Sequence, residues 1–189
     1  MRRVFYFTKL QTNLDIYLKH HMNQINYINL IDLFRHFADN HQQVKRYGVG
    51  TVQQLERVIA DSPLFPMLWV NLDNVSYPTD NQKTYNFNVM VFDILNSDQS
   101  NELDIQNDAI LVLEDLIKFL NHNNQDGYFQ ISFGGQLRIE PFTDNKKNTT
   151  EFTSGAGLTL NFDVDSNLQN NCGTPIAPYD FTASSVRYL

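Results

Sequence analysis

A single cysteine, Cys172, stands in 189 residues. No disulfide can form within the chain, and a zinc site built from several cysteines is excluded. Positive charge is also scarce: 14 Lys and Arg stand against 21 Asp and Glu, a formal net charge of −7. A surface that grips nucleic-acid phosphates needs a basic patch, so that class is disfavoured. A surface that a duplex slides past without sticking is not. Long hydrophobic runs are missing too. Arg2-Arg3 precede Val4 to Phe7, but Lys9 interrupts the run. It is far too short for the apolar core of a signal peptide or for a membrane span. The expectation is a protein made in a reducing cytoplasm, used there or released from it, with no membrane partner.

Catalytic and metal-binding signatures are equally sparse. The five histidines, His20, His21, His36, His41 and His122, form no HExxH and no pair four apart, the spacing that puts two imidazoles on one helical face. They read as ordinary surface histidines. Asp163-Val-Asp165-Ser-Asn167 copies the opening of a calcium loop. Leu168 then stands where a glycine must turn the chain and Thr174 where a bidentate glutamate is needed, so the aspartates read as the wet face of a strand. Gly48-Val-Gly50 and Gly155-Ala-Gly157 complete neither a dinucleotide fingerprint nor a P-loop and read as turns. Cys172 has no histidine or asparagine partner in view, although activating a thiolate needs a base or a positive environment. Glu114 and Asp115 fall on the outer face of a helix, as solvation rather than an acid–base pair. Asn74-Val-Ser76 and Asn148-Thr-Thr150 fit the glycosylation pattern but follow no secretory signal. The sequence predicts no enzyme, no cofactor and no metal.

What is present is hydrophobic periodicity, in a chain that is 42% hydrophobic. The chain is organised around Tyr85 to Leu95. Tyr85, Phe87, Val89 and Val91 occupy one face. The other starts polar at Asn86 and Asn88 and turns apolar at Met90, Phe92 and Ile94, which predicts a strand in mid-sheet. Leu103, Ala109, Ile110, Val112, Leu113, Leu116, Ile117 and Leu120 then recur at helical spacing. Earlier, Tyr27 to His41 reads as a helix capped by Asn26, and Gln43 to Gly50 as a short strand. Thr51 opens a second helix, with Gln54 completing a capping box. Met67 to Val75 is strand-like, followed by a loop from Ser76 to Gln82. Strands are predicted over Tyr128 to Phe133 and Gln136 to Glu140, and a polar loop over Thr143 to Thr150. Leu158, Leu160, Phe162 and Val164 alternate with polar residues, as in a strand with one wet face. Together these predict one α+β domain over residues 25–165, with a mainly antiparallel sheet and two or three helices packed on one face. Residues 1–24 read as an N-terminal extension or arm, and residues 166–189 as a C-terminal tail that needs a surface to lie on. The 14 Phe and 9 Tyr favour an oligomer, because many fall in loops and tails.

The order of motifs resembles the tail-terminator type of tailed-bacteriophage neck proteins, and most closely the ring or tail-completion proteins of crAss-like phages. In sequence, Phe37-Ala38, His41 and Gln43-Val44-Lys45 close the first helix, and Tyr47-Gly48 with Gly50 lead to the second. Phe65-Pro66, Leu68-Trp69-Val70 and Phe87-Asn88 to Phe92-Asp93 follow in the strands. Asn101-Glu102 to Gln106 and Asp108 open the long helix, Ala156-Gly157 precede the late strand, and Cys172 with Pro175 closes the match. Residues 1–24 have no counterpart, and Leu158 stands where the family pattern has an aromatic residue. The resemblance implies a structural virion protein. It would form a ring of sixfold or twelvefold symmetry at the neck or tail top, between portal or adaptor and tail ring proteins, with DNA passing through the lumen. Leu158, Leu160 and Phe162 on an edge strand, and Tyr179, Phe181 and Tyr188 in the tail, are the expected interface residues. The competing expectation is a non-enzymatic adaptor module, outside the virion, that binds a partner protein.

Overall fold

A computed structural model of the chain describes residues 25–61, 64–123, 129–132, 137–144 and 153–165. The expected arm and tail, with Cys172, Tyr179, Phe181 and Tyr188, lie outside the described residues.

Helix α1 spans Tyr27–Asn40. Asn26 caps it: its side chain accepts from the Asn29 N–H at 3.1 Å, and the Asn29 side chain accepts from the Asn26 N–H at 3.0 Å. This is a reciprocal capping box with asparagine in place of the usual Glu or Gln. Strand β1, Arg46–Val49, leads to helix α2, Val52–Asp61. The box read from the sequence is formed there, with the Thr51 N–H donating to Gln54 Oε1 at 2.8 Å. Strands β2, Met67–Thr79, and β3, Gln82–Ile94, form one long hairpin. Helix α3, Glu102–Asn123, follows, then β4, Gln130–Ser132, β5, Glu140–Asp144, and β6, Thr153–Asp165.

The sheet runs β1-β2-β3-β6-β4, and β5 also pairs with β6. Only β1 against β2 is parallel, with helix α2 in the crossover that a parallel pair needs; every other pairing is antiparallel. The fold class is therefore α+β with a mostly antiparallel sheet, as expected. Helices α1 and α3 cover one face. Leu30, Phe34 and Phe37 from α1 and Val112, Leu113, Leu116 and Leu120 from α3 meet Phe87, Val89, Val91, Leu158, Leu160 and Phe162 in one buried core. Phe34, Phe87 and Phe162 form its centre, each pair edge-on with ring centroids 5.4 to 5.7 Å apart. Each side chain so buried contributes roughly 1.5–3 kcal/mol relative to exposure. Helix α2 takes the other face, where Leu55 and Val58 lie with Met67, Trp69 and Phe92. The period-two alternation of β2 and β3 thus feeds two cores, one on each side of the sheet.

Glycine sets two close approaches. Trp69 pairs with Gly48, and its ring occupies the space that a side chain at Gly48 would fill. The Trp69 indole N–H donates to the Gly50 carbonyl at 3.1 Å, and Gly50 has φ of +145°, where a side chain is strained. Gly155 lies against β3, and a Cβ there would stand 2.7 Å from Phe92 Cα. The sequence alone predicts turns at both glycine pairs. Gly48, Gly155 and Gly157 instead lie inside strands, because bulky neighbours (Trp69, Phe92 and Met90) need the room. That explains why β6 begins at Thr153 rather than near Leu158.

Two other boundaries differ from expectation. The loop read over Ser76 to Gln82 is a tight turn at Asp80-Asn81, with β2 continuing to Thr79 and β3 starting at Gln82. Strand β5 begins at Glu140, where the sequence-based strand ended. A polar cluster holds it to α3: Thr143 Oγ1 donates to Glu102, and Gln106 Nε2 donates to Thr143 Oγ1 at 3.2 Å.

Candidate functional site

Leu158, Leu160 and Phe162 are core residues of this chain, with exposures of 5%, 0% and 0%. The edge-strand expectation for β6 is corrected. It pairs with β3 along its whole length and with β4 and β5 on its other side. Its polar face fits the sequence reading. Asp163 accepts from Thr84 Oγ1 at 2.5 Å and from Ser132 Oγ at 3.2 Å, using both carboxylate oxygens. Thr159 donates to Asn88 at 2.9 Å, and Asn86 donates to Asn74. These cross-strand pairs tile the half of the outer sheet face that α2 leaves uncovered, with side-chain hydrogen bonds in place of apolar contacts.

The open edge lies on β2. Strand β1 pairs with Met67 to Val70 only. From Asn71 to Thr79, β2 has β3 on one side and, among the described residues, no strand on the other. Residues 73–79 are exposed. Val75 and Tyr77 project there, 37% and 49% exposed. Lys83 Nζ sits 4.4 Å from the Tyr85 ring centroid and 5.8 Å from that of Tyr77, a cation held over two aromatic faces. Register shifts between Leu72 and Asn74 and between Ser76 and Thr79, together with Pro78, shape this edge against indiscriminate strand addition. The sequence carries this strand to Val75 and predicts a loop from Ser76, because Pro78 and Asp80-Asn81 mark a turn.

A cleft of about 310 Å³ opens at the other end of the sheet, where the α1–β1 connection meets the end of β3 and the first half of α3. Its floor is Pro66, Val91, Phe92, Ile105, Ala109 and Val112, and its rim is Gln42, Gln43, Lys45, Asp93 and Asp108. Burial pushes the Asp93 pKa above the ordinary carboxylate value. The Ile94 N–H, bonded to Asp93 Oδ1 at 2.7 Å, opposes that shift, and the Asp108 charge adds to it. Neither carboxylate has a cationic partner among the described residues. No residue of this cleft was singled out for chemistry from the sequence, because Asp93 and Asp108 are fifteen positions apart and belong to different elements.

The remaining titratable candidates serve the framework. His41 Nε2 lies 3.6 Å from Asp115, which also pairs with Lys118 at 3.0 Å. Burial lowers the His41 pKa, and the hydrogen bond and charge of Asp115 act against that. His36 packs on Phe119, with ring centroids 6.2 Å apart. Among the described residues, no group of three or more His, Cys, Asp or Glu side chains could hold a metal ion. No described helix is long and apolar enough to cross a membrane. No protein-family model matches the chain, and no curated protein matches it.

Proposed function

We propose that this chain is a structural subunit of a homo-oligomeric ring at the neck of a tailed-phage virion, joining portal or adaptor to tail components around the DNA channel. The observation that carries this reading is the outer half of the β2–β3 hairpin. It projects past the parallel strand β1, has, among the described residues, no strand on its outer side along Asn71 to Thr79, and sets Val75 and Tyr77 beside that edge. A ring closes through a heterologous interface, in which one surface meets a different surface on the next copy. An open edge with specific bulges and adjacent aromatic area suits one side of such a contact. The net charge of −7 suits a lumen that repels phosphates, so that the duplex slides without binding. The resemblance in motif order supports the same reading, and sixfold or twelvefold closure is what that resemblance implies.

Replacing Val75 and Tyr77 together by lysine tests the contact. Both positions are exposed, so the fold tolerates the change, at a cost on the order of 1 kcal/mol from the lost contact of Tyr77 with Lys83. The expected result is loss of the assembled species in light scattering, with a cooperative melting curve retained and only slightly lowered. Assembly that persists unaltered in this variant would remove the hairpin from the interface.

A further inference from the structure

We propose that the open β2 edge is completed by the arm of a neighbouring copy: residues Arg3 to Lys9 of one chain add to Asn71–Thr79 of the next as an extra strand. The inference rests on the ring reading for its donor, and it names the second surface of that contact. Residues 1–24 lie outside the described residues, but the place where they join the domain is defined. Ile25 is buried in the main core, and the Tyr27 ring stacks on Phe87 with centroids 6.2 Å apart. Phe87 pairs with Leu72, just past the point where β1 ends and the open edge begins. The arm therefore joins the domain beside the edge it would fill on another copy. Lys9 to Ile25 spans up to roughly 50 Å of extended chain. The open edge is itself about 27 Å long, so the arm has the length to reach an adjacent copy.

The chemistry of the segment matches the edge. Val4, Phe5, Tyr6, Phe7 and Thr8 are all β-branched or aromatic, the residue types that favour strands. Phe5 and Phe7 are two apart and so share one face of a strand. Val75 and Tyr77 share a face of β2 in the same way: Val75 pairs with Tyr85, and Lys83 Nζ lies over the rings of both Tyr77 and Tyr85. Two phenylalanines laid beside Val75 and Tyr77 would cover side chains that are 37% and 49% exposed. The charges agree as well. Arg2 and Lys9 stand seven positions apart, as do Asp73 and Asp80, the exposed carboxylates that bracket this edge. Neither aspartate is in an ion pair among the described residues. In strand addition, backbone hydrogen bonds supply the affinity and alternate side chains the specificity.

Complementation between two full-length variants is the test. Phe5→Asp with Phe7→Asp spoils the arm and keeps the edge; Val75→Lys with Tyr77→Lys spoils the edge and keeps the arm. Each variant alone should lose the assembled species in light scattering, with a cooperative melting curve retained. Mixed in equal amounts, the two should form a one-to-one dimer, a twofold rise in molar mass. One intact arm then meets one intact edge, and no further copy can join. A mixture that stays monomeric at every concentration would mean that the arm acts on its own chain, and would overturn the proposal. An arm variant that assembles like the parent would also overturn it, while leaving the ring reading in place. A parent chain that is itself a strict monomer would remove both.

Discussion

Asp93 sits where burial works against its own charge, and the consequence has a definite sign. Its folded-state pKa lies above the ordinary carboxylate value of 3.8. The folded chain therefore holds this proton more tightly than the unfolded chain does. The resulting stabilisation is complete below the unfolded value and is lost as pH rises through the folded one. At neutral pH the ionised group is a cost. Asp93→Asn keeps an acceptor for the Ile94 N–H and removes that cost. The variant should melt above the parent at pH 7, with the difference shrinking as pH falls toward 3.8; a variant that melts below the parent at pH 7 contradicts the account. Phe162 gives a second residue-scale prediction. It is fully buried between Phe34, Phe87 and Phe129. Phe162→Ala should cost about 3–5 kcal/mol in denaturant unfolding. A change in assembly with unchanged monomer stability would return Phe162 to an interface role.

At the scale of elements, β6 depends on a stretch of small residues as much as on its apolar stripe. Gly155 faces the backbone of β3, so a methyl there has no flexible side chain to displace. Gly155→Ala should destabilise by roughly 1–3 kcal/mol, read as a lower denaturant midpoint with unchanged slope. A midpoint equal to the parent's would mean that the β3–β6 spacing relaxes freely. The same stretch shows how much the sequence disclosed. Strong periodicity named α1, α3, the middle of β3 and the apolar face of β6, and hydroxyl or amide caps named two helix starts. Those signals are local. Gly48 and Gly155 looked like turns because the reason for them lies across the sheet, in Trp69 and Phe92. Ser76 to Gln82 reads as a loop because Pro78 and Asp80-Asn81 outweigh Tyr77, while cross-strand pairing with β3 carries the strand to Thr79. That β6 is an interior strand was hidden for the same reason: alternation tells which face is wet, not which edge is paired. The cleft was invisible because its two carboxylates come together only when α3 packs beside the end of β3.

For the whole molecule, one sheet carries two kinds of outer surface. One half is closed by α2, and the other is a hydrogen-bonded polar face that runs out along the β2–β3 hairpin. The hairpin projects beyond its own supporting strand and is placed to reach a neighbouring copy. Self-association through the hairpin into a closed ring is the arrangement we propose. The most direct measurement is the molar mass of the purified chain by light scattering across a dilution series, with electron-microscope images of any large species. The predicted result is a discrete assembly of six or twelve copies, or a monomer that converts to it on concentration, seen as rings. A strict monomer at every concentration, also when co-expressed with the adjoining neck proteins, would contradict it.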